Sequence, residues 1–361
     1  MTAAATPASG SGRPRRGFGI DVGGSGVKGG IVDLDTGQLI GDRFKLLTPQ
    51  PATPEAVAKT IADVVAHFGW DGPLGVTYPG VVADGIVCTA ANVDKAWIGL
   101  NAKDVIGAAL DGQPVTVLND ADAAGLAEEK FGAGRDNTGV IVLLTFGTGI
   151  GSAVIHNGVL LPNTEFGHLE VGGKEAEHRA ASSVKERKEW SYERWTQEVT
   201  KVLVAIENAI WPDLFIAGGG ISRKADKWIP LLTNRVPVVA AELQNTAGIV
   251  GAAMVAAWAY SLMRDSGKIL LDAEMDAPVA QDIRQALAAS GHALTLTDLH
   301  VGRIGKGKYH CVLALSSADR ALTADRVRQL LATHPELVHV TVEINRPPLA
   351  QGVVLFHRKD L

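Results

Sequence analysis

Apolar residues in this chain come in short bursts that end at glycine. Gly17-Phe18-Gly19-Ile20 runs into Asp21-Val22-Gly23-Gly24-Ser25-Gly26-Val27-Lys28, and Gly29 to Leu34 then reads as a second strand. Asp35-Thr36-Gly37 is a turn, and Gln38 to Gly41 starts a third strand. Val57, Ile61, Val64 and Val65 recur at helical spacing and predict a helix from Pro54 to Phe68. The series then repeats. Gly139 to Thr145 is a buried strand, Thr145-Phe146-Gly147-Thr148-Gly149-Ile150-Gly151 a glycine turn, and Gly151 to His156 a second strand. His156-Asn157-Gly158 turns the chain into a third at Val159 to Leu161, and a further glycine cluster closes an apolar run at Ala217-Gly218-Gly219-Gly220. The same order in both halves is an internal structural repeat without evident sequence identity.

Glycine lets a backbone turn with positive φ and approach an anion closely, so that its N–H groups point at phosphate oxygens. Gly23, Gly24, Gly26, Gly147, Gly149, Gly218, Gly219 and Gly220 are therefore candidate phosphate or nucleotide contacts, with the hydroxyls of Ser25, Thr145 and Thr148 as donors. Lys28 either meets phosphate or flanks the turn as a solvated charge. Composition fits a soluble enzyme: 361 residues, 46% hydrophobic and 20% charged, suffice for two or three domains. A net charge of −5 argues against a general nucleic-acid binder. Cys88 and Cys311 stand far apart, which argues against a disulfide framework and for a reducing, cytoplasmic setting. Residues 1–16 are Ala-, Ser-, Gly- and Pro-rich, lack the apolar run of a secretory signal, and read as a disordered tail. Thr246 to Met263 carries no charge; its Ala and Gly content favours a buried helix over a marginal membrane segment.

DVGGSGVKGGIVD, LNDADAAGLAE (118–128), LLTFGTGIGSAV (143–154), EFGHLE (165–170) and FIAGGGIS (215–222) together resemble the sugar kinases of the repressor, open reading frame, kinase (ROK) family. Residues 17 to about 254 are most similar to its polyphosphate/ATP glucokinases, through GVTYPGVV, TAANVDKAWIG, EFGHLEVGGKEAE and AIENAIWPDLFIAGGGISRKADKW. The resemblance implies a duplicated α/β, actin-like and hexokinase-like (RNase H-like) kinase with lobes at 17–130 and 131–257. It implies phosphoryl transfer from polyphosphate or ATP to the 6-hydroxyl of glucose.

A sugar hydroxyl is a weak nucleophile that must be oriented and relieved of its proton, which a nearby carboxylate does. Asp120, after the strand Val115 to Leu118, matches the family's general base. The competing reading of such an Asp is the N-cap of the helix predicted for Ala121 to Glu129, a role Asp122 could take instead. Asn119, beside Asp120, would donate to and accept from sugar hydroxyls; the resemblance assigns Asn92, Glu165 and His168 to glucose, with Glu177 a further candidate. Many relatives follow this segment with zinc-binding cysteines; Gly172 to His178 contains none, so no structural zinc is expected and His168 reads as a sugar ligand. Asp21 either caps the first glycine turn or orients Mg²⁺ through water, the role the resemblance favours, and Gly218 to Gly220 lie where relatives bind adenosine. Lys185, Arg187, Lys188, Arg223, Lys224 and Lys227 are candidate polyphosphate contacts; their interleaved acids equally fit a solvated surface.

From about Trp258 the pattern changes. A linker or helix at 258–275 precedes an amphipathic helix from Asp276 to Ser290, a hairpin of Leu294–Ile304 and Tyr309–Ser316, a helix from Thr323 to Thr333, and strands at Val338–Ile344 and Gly352–His357. This order predicts a small α+β ferredoxin-like domain over 276–361. LMRDSGKILLD (262–272), TDLHVGRIGKGKYHCVLAL and HPELVHVTVEINR resemble the cytoplasmic C-terminal domain of cation diffusion facilitator transporters, which implies dimerisation and a metal role for His300, His310 and His339 beside Asp298. The expectation is thus a cytoplasmic, homodimeric, Mg²⁺-dependent glucokinase without nucleic-acid or membrane partners. The alternatives are an ATP-only hexose kinase and a non-catalytic sugar- or metal-responsive regulator.

Overall fold

The computed structural model describes residues 15–271 and 277–347. Contacts divide the chain into two compact units, residues 1–260 and 261–361. In the first, β1 (Arg16–Gly23) and β2 (Gly26–Asp33) form a hairpin closed at Gly24-Ser25, with Val22 opposite Val27. β3 (Phe44–Leu46), α1 (Pro54–Phe68), β4 (Leu74–Tyr78), the small hairpin β5 (Val82–Ala83) and β6 (Ile86–Val87), α2 (Ala102–Ala108), β7 (Val115–Asn119) and α3 (Asp120–Phe131) follow. The sheet order is β3-β2-β1-β4-β7, with β1, β4 and β7 parallel.

The second half repeats this. β8 (Val140–Phe146), β9 (Ile150–His156), β10 (Val159–Leu161), β11 (Leu214–Gly218) and β12 (Val238–Ala240) lie in the order β10-β9-β8-β11-β12, with β8, β11 and β12 parallel. Between β10 and β11 come α4 (Ala176–Ala180), α5 (Ser182–Arg187) and α6 (Tyr192–Ile210). The two sheets share one topology, the structural form of the repeat read from the sequence. Trp195, Trp228 and Phe146, all buried, meet edge to face in the second core.

Local chemistry sets the boundaries. α1 starts where the Thr53 hydroxyl accepts from the Ala56 N–H and Pro54 occupies the first turn, and it ends at Gly69, whose φ of 57° suits glycine. Its stripe of Val57, Ile61, Val64 and Val65 is buried on the first sheet. The predicted third strand differs: Gln38 to Gly41 contributes only a bridge from Leu39 to Val32, and the edge strand is β3. Two hairpin-compatible apolar segments lay close together, and short apolar runs do not reveal which one pairs. Of the expected N-terminal tail, residues 1–14 lie outside the described residues, Arg16 already belongs to β1, and Arg15 bonds Asp35.

Each half ends in a helix that crosses to the other half. α3 packs on the second sheet, where a Cβ on Gly125 would come within 2.6 Å of the Ala153 Cβ. α7 (Ala247–Leu270) covers the first sheet so closely that a Cβ on Gly19 would meet the Ile249 carbonyl at 1.9 Å, and one on Gly75 the Ala252 carbonyl at 1.9 Å. Gly251 gives the same clearance against the Ala123 carbonyl of α3. The segment from Gln244 to Leu270 is long and apolar enough to cross a membrane, but its first half is a core helix: Ala247, Ile249, Val250, Ala252, Ala253, Met254 and Ala256 are buried. Small residues there serve backbone-to-backbone packing.

In the second unit, α8 (Pro278–Ala288) and α9 (Ala324–Leu331) pack Val279, Ile283, Leu287, Val327 and Leu331 on one face of the sheet β13 (Thr295–Gly305), β14 (Lys308–Ser316) and β15 (Leu337–Asn345). β13 and β14 are antiparallel, β14 and β15 parallel, and α9 makes the crossover. The strand expected at Gly352 to His357 lies outside the described residues, as do residues 272–275 of the expected linker and Asp276 at the start of the expected helix; the linker's earlier residues continue α7.

Candidate active site

The parallel strands β1, β4 and β7 of the first sheet end at one level of the first unit. Asp21 lies near the end of β1 and is paired with Thr77 of β4, while Tyr78 is paired with Asn119, so Asp120 leaves β7 at the same level. Ligands of open parallel sheets bind at such carboxyl ends. Asp21 is held tightly: the Thr77 hydroxyl donates to its Oδ1 (3.0 Å) while accepting from the Val22 N–H, and Lys28 Nζ bonds its Oδ2 (3.0 Å). Lys28 is therefore the ion-pair partner of Asp21 rather than a loose flanking charge. The Thr48 hydroxyl donates to the Gly23 carbonyl and braces the first glycine turn, leaving Gly24 and Ser25 exposed. Neither Thr48 nor Thr77 is marked in the sequence as more than a threonine in or after a strand.

The cap of α3 is neither Asp120 nor Asp122. Asn119 Oδ1 accepts from the N–H groups of Ala121 (2.8 Å) and Asp122 (3.1 Å), and its Nδ2 donates to the Gly80 carbonyl. Only its second amide hydrogen is left for a sugar. Asp120 is thereby released from capping. Burial pushes its carboxyl up to about 7, and the nearby charges of Asp21 and Glu165 add to this against a hydrogen bond from the Ala121 N–H. Asp122 is turned inward, 2% exposed; burial raises it to about 6 although it accepts from the Asn163 N–H (2.8 Å). Asn163, at φ 57°, clasps both backbone groups of Val82 and so ties the loop before Glu165 to the first lobe.

Glu165, His168 and Glu177 lie in one cluster with two further residues, Glu175 and His178, that the sequence does not single out. His168 stands 4.0 Å from Glu165 and 3.7 Å from Glu175; His178 stands 3.1 Å from Glu175 and 3.8 Å from Glu177. The i, i+3 spacing of Glu175 and His178 at a helix start was the available signal. Burial raises Glu165, opposed by His168 and assisted by Glu177. Gly149 lies where a Cβ would meet Glu177 Oε2 at 2.4 Å, so the second glycine turn abuts this cluster. Arg179 fixes the base of α4 by donating to the Val171 and Gly172 carbonyls and pairing with buried Glu198. Burial alone would raise Glu198, but Lys201, Arg179 and Arg194 hold it at about 2. Asn92 packs its Cβ against Gly24, beside the first glycine turn.

On the donor side, the hydroxyls of Ser182 and Ser183 bond the Gly147 and Thr148 carbonyls and hold the second turn, leaving Thr148 exposed. Gly218 is paired with Thr145, Gly219 takes φ 82° against the Phe146 backbone, and Gly220 lies exposed near the Arg223 guanidinium. Of the basic clusters, Lys185 and Lys188 rest over the rings of Tyr192 and Trp190, whereas Arg223, Lys224 and Lys227 are exposed. In the second unit His310 is paired with His339 across β14 and β15, and His300 Nε2 stands 3.1 Å from Asp298 Oδ2. Among the described residues, groups of three with ligand atoms within 4.8 Å of one another lie elsewhere: His168, Glu175 and Glu177, and Asp282, His334 and Glu336.

Residues 17–180 match the ROK family model. A polyphosphate glucokinase of Mycobacterium tuberculosis is 80% identical over 240 residues, 66% of this chain and 91% of that protein. The chain belongs to the ROK family. A polyphosphate glucokinase of Mycobacterium leprae is 77% identical over 239 residues, 66% of this chain and 74% of that protein. Among solved structures, the inorganic polyphosphate/ATP-glucomannokinase of Arthrobacter sp. strain KM superposes with a TM-score of 0.65 at 48% identity, covering 68% of this chain and 99% of that one. A ROK family glucokinase from Streptomyces griseus, in complex with glucose and AMPPNP, gives 0.58 at 25% identity over 68% and 100%. The actin-like, hexokinase-like fold of the kinase unit follows from family and topology together.

Proposed function

We propose that the chain is a glucokinase that transfers a phosphoryl group from inorganic polyphosphate or ATP to the 6-hydroxyl of glucose. The observation that carries this is Asp120, freed from capping by Asn119 and held near neutrality opposite Glu165 and Asp21. Such a carboxylate accepts the 6-hydroxyl proton as that oxygen attacks the terminal phosphorus; the bond to the donor's bridging oxygen breaks and the shortened donor leaves. Glu165, His168, Glu177 and Asn92, with the free amide hydrogen of Asn119, bind and orient the sugar. Gly24, Ser25, Thr145, Thr148 and Gly149 line the phosphate side, and Gly218 to Gly220 the adenosine side.

Asp21 suits outer-sphere contact with Mg²⁺. Both its oxygens are engaged by Thr77 and Lys28, and Mg²⁺ keeps much of its water. When bound, the ion neutralises charge on the transferring phosphate. Arg223, Lys224 and Lys227 form the exposed polyphosphate track; the likeness to polyphosphate glucokinases supports this donor. The sheet face of the second unit away from its helices exposes Val312, 40% accessible, and is the surface proposed to pair two copies. A coupled glucose 6-phosphate assay with each donor tests the reading. Asp120→Asn is expected to lose about 10²–10⁴-fold in turnover with both donors. Full activity with ATP and none with polyphosphate would make it an ATP-only hexose kinase. Charge reversal at Arg223 and Lys224 should raise KM for polyphosphate; an unchanged KM with normal ATP use removes the track.

A further inference from the structure

Three ligating side chains meet in the second unit, away from the histidines that the transporter resemblance singles out. Asp282 lies on α8 beside buried Ile283, at the edge of the stripe that faces the sheet. His334 and Glu336 lie in the turn between α9 and β15. Hydrogen bonds from the His334 N–H to the Leu331 carbonyl (3.1 Å) and from the Leu337 N–H to the His334 carbonyl (3.0 Å) shape that turn. The Tyr309 N–H bonds the Glu336 carbonyl (2.8 Å) and Lys308 Nζ the Pro335 carbonyl (2.9 Å), so the turn is fastened to the end of β14. The ligand atoms of Asp282, His334 and Glu336 all lie within 4.8 Å of one another, and all three residues are partly buried.

The spacing suits a small cation. His334 Nδ1 stands 3.4 Å from Glu336 Oε1, and two ligands bound at about 2.0–2.1 Å with tetrahedral geometry stand about 3.3 Å apart. The charge pattern agrees. Two carboxylates this close repel, yet among the described residues no Lys or Arg lies within ion-pair distance of either. One imidazole nitrogen and two carboxylate oxygens form a donor set that zinc accepts, with water as fourth ligand. We infer that Asp282, His334 and Glu336 bind a zinc ion that clips α8 to the turn between α9 and β15. The ion fastens a helix to a turn and takes no part in phosphoryl transfer.

Zinc bound per full-length chain, measured by equilibrium dialysis against zinc chloride after chelator treatment, tests the site. Asp282→Asn, His334→Gln and Glu336→Gln should each weaken one zinc by about tenfold or more, with glucose phosphorylation unchanged. Zinc should raise the thermal midpoint of the parent and not of these variants. A variant that fails to fold without zinc is set aside, and the other two decide. Triple replacement of His300, His310 and His339 by Ala, and separately Glu175→Gln, should leave this zinc in place. The site is overturned if the parent binds no zinc, if the three variants bind as much as the parent, or if binding disappears only with the triple variant or Glu175→Gln. In any of those outcomes the three side chains are packed together without an ion.

Discussion

In the proposed reaction Asp120 is free to serve as the base because Asn119 carries the cap. In an Asn-Asp-Ala-Asp run any of three side chains can cap the helix, and the sequence leaves Asp120 and Asp122 open to that role; hydrogen-bond geometry gives it to Asn119. The freed carboxylate has a consequence for pH. A base acts only when deprotonated, so kcat/KM for glucose should rise through about pH 7 and level off above it, the limb following the value to which burial raises Asp120. The charge of Asp21 contributes to that elevation, so Asp21→Asn should move the limb to lower pH even as it lowers the rate. A limb that stays in place would separate the two carboxylates. Stability runs the opposite way. A raised carboxyl pKa contributes stability below its unfolded value near 4, which is lost as pH rises through about 7. Asp120→Asn keeps the acceptor for the Ala121 N–H and removes a partly buried charge, so at pH 8 it should stabilise the protein by on the order of 1 kcal/mol. Urea denaturation at pH 5 and pH 8 checks this, with the gain expected mainly at pH 8.

At the scale of elements, repeated order and helical spacing were legible, and close approach was not. α1 and β10 have the boundaries the pattern predicts, and β1, β2, β7, β8 and β9 differ from it by a few residues, because alternation and glycine turns mark them directly; β4 and β12 carry no such marks and have no counterpart in the pattern. The edge strand β3 was misplaced because three residues carry too little pattern. The Ala- and Gly-rich run of α7 showed that a helix is buried but not against what. The structure supplies the reason for its composition: strand glycines and helix carbonyls are in van der Waals contact, leaving no space for a methyl group. Gly75→Ala would place a Cβ 1.9 Å from the Ala252 carbonyl, where backbone rather than a flexible side chain must give way. It should cost about 1–3 kcal/mol or more, read as a lower urea midpoint with unchanged slope. Gly267→Ala, inside α7 at a backbone without positive φ, adds a methyl that meets nothing within 4 Å and controls for added bulk.

At the scale of the whole molecule, the duplicated halves are not separable domains. α3 belongs in sequence to the first half and packs on the second sheet; α7 belongs to the second and packs on the first. Ala127, Ile249, Val250 and Ala253 share one cluster with Val32, so the two crossing helices hold the lobes together. A boundary near residue 130, natural from the order of strands, cuts through this exchange. The unit boundary, in contrast, falls inside α7 after Tyr260, beyond its last buried residues. Two truncations with opposite outcomes follow. A chain ending at Leu271 keeps all of α7 and should retain glucose phosphorylation within about twofold for each donor, as expected of a unit with its own core. A chain ending at Thr246 keeps every strand of both sheets and every candidate site residue of the kinase, yet uncovers Gly19, Gly75 and the α3 contact at Gly251. It should lose cooperative unfolding and activity together. If the shorter chain stays active, the catalytic cleft does not depend on the exchanged helices; if the longer one loses polyphosphate use alone, the second unit takes part in donor choice.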